Sequence, residues 1–181
     1  MVIHFFDLFL VFFLGFAAGF DLRERRIPNW LVLFALTGGI LLNFWRGMPQ
    51  LLNSLEGFGL GVGIFLIPFA LGWLGAGDVK LLGAVGAVLG AHWLPRVIFY
   101  SALVGGVFAL AAIALRGIDL KVVKGAWRDF TLLIMSQGTV LPETVSERGL
   151  GGVRTIPYGV AIVCGTLMAF YVDPTGDWAG F

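Results

Sequence analysis

The chain has 181 residues, 59% of them hydrophobic and 13% charged, and its mean hydropathy is +0.94. Soluble domains carry about 25% charged residues, so there is too little polar surface here to cover a water-soluble globule. The near-neutral balance, 12 Lys+Arg against 11 Asp+Glu, excludes the broad basic field that nucleic-acid binding needs. What remains is an all-α integral membrane protein, read as a single polytopic domain over 1–181.

A span needs about 20 mostly apolar residues to cross a hydrocarbon core of about 30 Å. Dividing the chain at its charges and Pro/Gly clusters gives six transmembrane helices, at approximately 2–20, 29–45, 52–74, 79–94, 97–115 and 156–172. The first could be mistaken for a secretory signal, but no Lys or Arg precedes its apolar run, and it reads as a retained span. A single helix over 79–115 would be about 55 Å long, too long for a bilayer, so a hairpin is expected at Pro95. The single cysteine, Cys164, can form no internal disulfide or zinc cluster and reads as a buried structural thiol. No internal repeat of the kind found in many transporters is visible.

Cytoplasmic loops are enriched in Lys and Arg, and this fixes the expected orientation. With the N-terminus outside, Arg23, Arg25, Arg26, Lys80, Arg116, Lys121, Lys124, Arg128, Arg148 and Arg154 face the cytoplasm, and only Arg46 and Arg96 lie outside. Both termini are then extracytoplasmic. The long connection between spans five and six becomes cytoplasmic. Within it Lys121, Lys124, Gly125 and Arg128 fall in one arc of about 100°, opposite Val123, Ala126, Trp127, Phe130 and Ile134. This predicts an interfacial helix on the inner leaflet, whose basic face needs no role beyond contact with anionic membrane lipids. Ser136 to Gly152 is expected to be a loop.

Charged residues at membrane depth are costly and mark candidate functional sites. Asp7, near the outer end of span one, can reach headgroups and water. Glu56, near the outer start of span three, reads as an acid favoured by a helix N-terminus. Asp21 and Asp78 differ, because the charge argument puts both at the cytoplasmic face. Two neighbouring carboxylates repel, so one keeps a proton that the pair then shares. One member can act as general base on water while the other donates a proton. Gly75 and Gly77 remove side chains beside Asp78 and permit backbone angles closed to other residues. GxGD by itself would also fit a helix-breaking turn. A carboxylate pair also occurs in proton- or ion-coupled transporters, but those sites lie near the bilayer midplane beside broken helices, not at one end of their spans.

Three segments together resemble the prepilin peptidase family, the GxGD-type aspartyl peptidases of type IV prepilins and archaeal preflagellins. They are Asp21 followed by basic residues and Ile27-Pro28-Asn29-Trp30; Gly75-Ala76-Gly77-Asp78-Val79-Lys80-Leu81-Leu82; and Ile156-Pro157-Tyr158-Gly159-Val160-Ala161. The resemblance implies that Asp21 and Asp78 are the catalytic pair, with six transmembrane helices, a cytoplasmic-side active site, no metal and no cofactor. It implies substrates that are prepilin or pseudopilin precursors, each an apolar helix behind a short basic leader, in the inner membrane of a prokaryote. The larger bacterial members add a four-cysteine zinc domain and methylate the new N-terminus. With one cysteine here, methyltransferase activity is not expected, and the compact form resembles the short peptidases of tight-adherence pilus systems and the archaeal preflagellin enzymes, the bacterial pilus type being nearer.

Supporting roles divide between two explanations each. Lys80 either favours the ionised forms of the pair or is a positive-inside anchor, and Tyr158 either donates a hydrogen bond near the site or belongs to an interfacial aromatic belt. Pro28 and Pro157 set the entries of spans two and six. Two alternatives to a peptidase stay open from the residues: an ion- or proton-coupled transporter, and a catalytically silent protein that binds pilin-like helices during assembly.

Overall fold

The computed structural model describes residues 5–24, 26–70, 74–116, 128, 131, 135 and 158–172. Their helices are α1 (Phe5–Glu24), α2 (Asn29–Trp45), α3 (Met48–Ala70), α4 (Ala76–Leu89), α5 (Leu94–Arg116) and α6 (Tyr158–Tyr171), with a 3-10 turn at Ala91–Trp93. No strand occurs among the described residues. Two stretches, Met48–Ala70 and Ala91–Ala111, are long and apolar enough to cross a membrane. Only 22% and 28% of their most apolar windows are buried, the reverse of a soluble protein's core helix. Phe12, Phe34, Trp45 and Leu110 are among many large apolar side chains on the outside, a surface suited to hydrocarbon. Most of the expected interfacial helix and all of the 136–152 loop lie outside the described residues. Arg128, Thr131 and Met135 are helical.

Several boundaries differ from expectation for identifiable reasons. α1 runs past residue 20 to Glu24, because the Asp, Leu, Arg and Glu that follow are all compatible with a helix. α3 starts at Met48, with Pro49 in its first turn, where the missing N–H has no partner to lose. Glu56 consequently lies well inside α3, exposed, and not at its N-terminus. The reversal between α4 and α5 comes at Gly90, whose φ of +91° suits glycine, and at the 3-10 turn behind it. Pro95 sits in the first turn of α5 and does not make the hairpin.

α4 is the centre of the bundle. Every residue from Val79 to Leu89 except Lys80 is buried, and α2, α3 and α6 pack around it. Its small residues allow this. A Cβ built on Gly57 of α3 would collide with the Gly86 carbonyl of α4, one on Gly86 with the Gly57 carbonyl, and one on Gly61 would come within 2.8 Å of the Leu82 carbonyl oxygen. The two backbones therefore meet directly, as small residues permit between membrane helices.

At 14 residues, α4 is about 21 Å long, shorter than the hydrocarbon core, and the carbonyls of its last turn need partners inside the protein. Neighbouring helices supply them. Asn43 Nδ2 of α2 donates to the carbonyls of Ala87 (3.2 Å) and Val88 (3.1 Å), and Ser54 Oγ of α3 donates to Ala87 at 2.5 Å. Beyond the helix, the Ala91 amide donates to Asn53 Oδ1 at 3.0 Å.

Candidate active site

Asp21 belongs to the buried face of α1. Leu10, Leu14 and Ala17 form that face and are fully buried; at a spacing of three to four residues Asp21 takes the next place in the stripe and is only 6% exposed. A carboxylate so placed needs a hydrogen-bond donor. α6 supplies one: the Val160 amide, in its first turn, donates to Asp21 Oδ2 at 2.9 Å. The approach depends on the residue before it, since a Cβ on Gly159 would stand 2.7 Å from the same oxygen. The third motif of the sequence thus touches the first, a role for Gly159 and Val160 that the sequence reading missed. The clue was the glycine within that motif, directly after Tyr158.

Asp78 lies in the first turn of α4. The Gly75 amide donates to its Oδ2 at 3.0 Å, and its own amide donates to the Gly75 carbonyl at 3.0 Å, so the side chain folds back over the helix start as a capping-box acid does. Asp78 is half-buried. It lies within electrostatic range of Asp21 and of Tyr158. The C-terminal end of α1, the N-terminal end of α4 and the N-terminal end of α6 therefore converge, bringing Asp21, Asp78 and Tyr158 into one neighbourhood.

The supporting residues sort themselves by contact. Lys80 Nζ donates to Asn29 Oδ1 at 3.0 Å, joining the start of α2 to α4. The Tyr158 ring lies 6.0 Å from that of Phe65, and a Cβ on Gly105 of α5 would be 2.8 Å from its Cε2, so it is wedged between α3 and α5. Pro28 directly precedes α2; Pro157 lies outside the described residues. Backbone freedom does not explain the glycines of GxGD. Gly75 has φ −81° and ψ 153°, open to any residue, and Gly77 is helical. Nor does packing, because a Cβ on Gly77 would meet Ile27 at 3.7 Å and one on Gly75 would meet Asp78 Oδ2 at 3.4 Å, both ordinary contacts. Cys164 is half-buried. Among the described residues no three or more His, Cys, Asp or Glu side chains gather into a cluster able to hold a metal ion.

Apolar helices that bring two acids together at one end of a bundle, one sunk in a core stripe and one opening the central helix, define a helical membrane protein with a carboxylate-pair site. The chain belongs to the type IV leader peptidase family, whose profile matches residues 8–110, more than half of the sequence and both aspartates. Among its relatives is the prepilin leader peptidase/N-methyltransferase of Aeromonas salmonicida (strain A449), 37% identical over 106 residues that cover 53% of this chain and 35% of that protein. The protein of the same name from Burkholderia pseudomallei (strain K96243) is 31% identical over 102 residues, 51% of this chain and 32% of that one. The one from Bacillus subtilis (strain 168) is 30% identical over 96 residues, 51% and 38% respectively. The chain thus spans about a third of the length of these relatives. No solved structure matches it.

Proposed function

We propose that the chain is a membrane-embedded aspartic endopeptidase that removes the positively charged leader from prepilin-like precursors at the cytoplasmic face of a prokaryotic inner membrane. The observation that carries this reading is the convergence of Asp21 and Asp78 at one end of the helices, within electrostatic range of each other. Six membrane spans with extracytoplasmic termini, and a basic interfacial helix between the fifth and sixth, complete the proposed topology. The substrate's apolar segment stays in the membrane while its leader reaches the site from the cytoplasm. The relatives' printed name supports prepilins as the substrate class, and the proposal covers the peptidase half of that name.

The chemistry follows from the charge of the pair. Repulsion between the carboxylates leaves one proton for two acids. The ionised member takes a proton from water, whose oxygen attacks the scissile carbonyl carbon; the protonated member donates to the carbonyl oxygen, giving a tetrahedral gem-diol. The carboxyl that now holds the proton gives it to the leaving nitrogen while the other carboxylate takes a proton from a gem-diol hydroxyl; the C–N bond breaks, a carboxylic acid and an amine leave, and the pair again holds one proton. The Val160 and Gly75 amides each engage one oxygen of their carboxyl and fix its direction. Gly75 and Gly77, which internal packing does not require, keep the approach to Asp78 clear for the substrate backbone.

The test is co-expression of a candidate prepilin with wild type, Asp21→Asn or Asp78→Asn, following leader removal by gel shift. Each substitution should slow cleavage by about 10²–10⁴-fold, the range of lost general acid–base catalysis. Cleavage that survives both substitutions overturns the reading.

A further inference from the structure

α4 carries Asp78, and the buried residues of α4 itself are all glycine, alanine, valine and leucine. Such contacts hold a helix in place sideways but provide few directional bonds along its axis. Directional bonds to α4 come from its two ends, and α2 contributes to both. Asn29, the first residue of α2, accepts from Lys80 in the first turns of α4. Asn43, near the last turn of α2, donates to Ala87 and Val88 in the last turn of α4. The two helices run in the same direction and are clamped at both ends.

The two attachments differ in stiffness. Lys80 is exposed and reaches Asn29 through a long, flexible stem. Asn43 is 5% exposed and also donates to Gly39 of its own helix. At its side a Cβ on Gly39 would come within 3.0 Å of the Val88 backbone nitrogen, so α2 and α4 are in close backbone contact there. Ser54 adds a second donor to the Ala87 carbonyl. A buried amide whose loss leaves carbonyls unsatisfied in an apolar setting resists displacement more strongly than a solvated ammonium does.

We propose that Asn43, assisted by Ser54, is a positioning residue: it fixes how far α4 sits along its own axis and thereby the height of Asp78 relative to Asp21. Asp21 is held independently, by α6 through Val160, so axial slippage of α4 would change the separation of the two carboxylates without unfolding either helix. Asn43 lies at the opposite end of α4 from the site and touches no substrate. The consequence for cleavage rests on the peptidase reading; the mechanical claim does not.

The experiment therefore has two arms, both on the full-length protein in membranes. In the first, Asn43→Leu, Asn43→Gln and Ser54→Ala are compared with wild type for prepilin cleavage after confirming monodisperse extraction in detergent. Asn43→Leu should lower kcat about 10–100-fold, as misplacement of a reacting group by about 1 Å does, with KM nearly unchanged. Asn43→Gln, which keeps the donors, should recover most of the loss, and Ser54→Ala should show a smaller loss of the same kind. In the second arm, Ala76→Cys in a Cys164→Ser background is labelled with a membrane-impermeant thiol reagent in inverted vesicles. Asn43→Leu should alter the labelling rate at position 76, at the far end of α4. Wild-type kcat in well-folded Asn43→Leu, or an unchanged labelling rate, overturns the proposal. Should the wild-type chain cleave no prepilin, the peptidase reading fails, while the labelling arm still decides the clamp.

Discussion

Two carboxylates with different surroundings occupy the site, and single residues explain the difference. Asp21 replaces a hydrocarbon side chain in the core stripe of α1 and accepts a hydrogen bond from a backbone amide of α6. Gly159→Ala would drive a methyl group to within 2.7 Å of that carboxylate and disturb its bond to Val160. The expected result is a loss of cleavage of about 10–100-fold, the cost of moving a reacting group, measured as initial rate on a prepilin substrate. Gly77→Ala makes the opposite contrast. Its Cβ has room against Ile27, so thermal unfolding in detergent should match wild type, while under the proposed function, in which this glycine keeps the approach to Asp78 clear, cleavage should fall. A large loss of stability in Gly77→Ala would show that internal packing, and not substrate, keeps the glycine.

At the scale of elements, the glycine seam between α3 and α4 has no slack. Gly57→Ala or Gly86→Ala sets a methyl group against a backbone carbonyl that cannot rotate away, and either should destabilise the protein by about 1–3 kcal/mol, as overpacking does, read from the unfolding midpoint in detergent. Ala substitution at Gly59 or Gly63 of the same helix, where a Cβ meets nothing within 4 Å, should leave that midpoint unchanged. Not all of this was legible in advance. Helix positions followed from apolar length. In a chain of 27 glycines, however, nothing local separates Gly57 from Gly59, since the difference lies in which face meets α4. The reversal at Gly90 in place of Pro95 has a similar origin. Both residues can end a helix, and the choice is made by Asn53, 38 positions before its partner Ala91.

For the whole molecule, composition and charge carry far. The scarcity of charge points to a membrane class, and the asymmetry of Lys and Arg puts Asp21 and Asp78 at one face. The structure brings the same two residues together at one end of the helices. What charge could not supply is the third participant, α6, because its contact with Asp21 spans 139 positions and is made by backbone, which has no sequence signature beyond a glycine that lets it approach. The proposed topology has its own test. A reporter inserted within 140–150 should read cytoplasmic, and one fused at residue 181 should read extracytoplasmic; the reverse pattern would put the carboxylates on the wrong side for a cytoplasmic leader.

The direct contact of α3 and α4 backbones also bears on how this sequence can vary. Glycine is the smallest residue, so at Gly57 and Gly86 every substitution adds volume, and trimming a side chain cannot offset it, because the nearest atoms a Cβ would meet are backbone. A saturation-mutagenesis survey should therefore find these two positions closed even to alanine, while outward phenylalanines such as Phe12 and Phe34 accept most apolar replacements. In this bundle the smallest residues are the least exchangeable, and the bulky ones on the outside carry the sequence's freedom to drift.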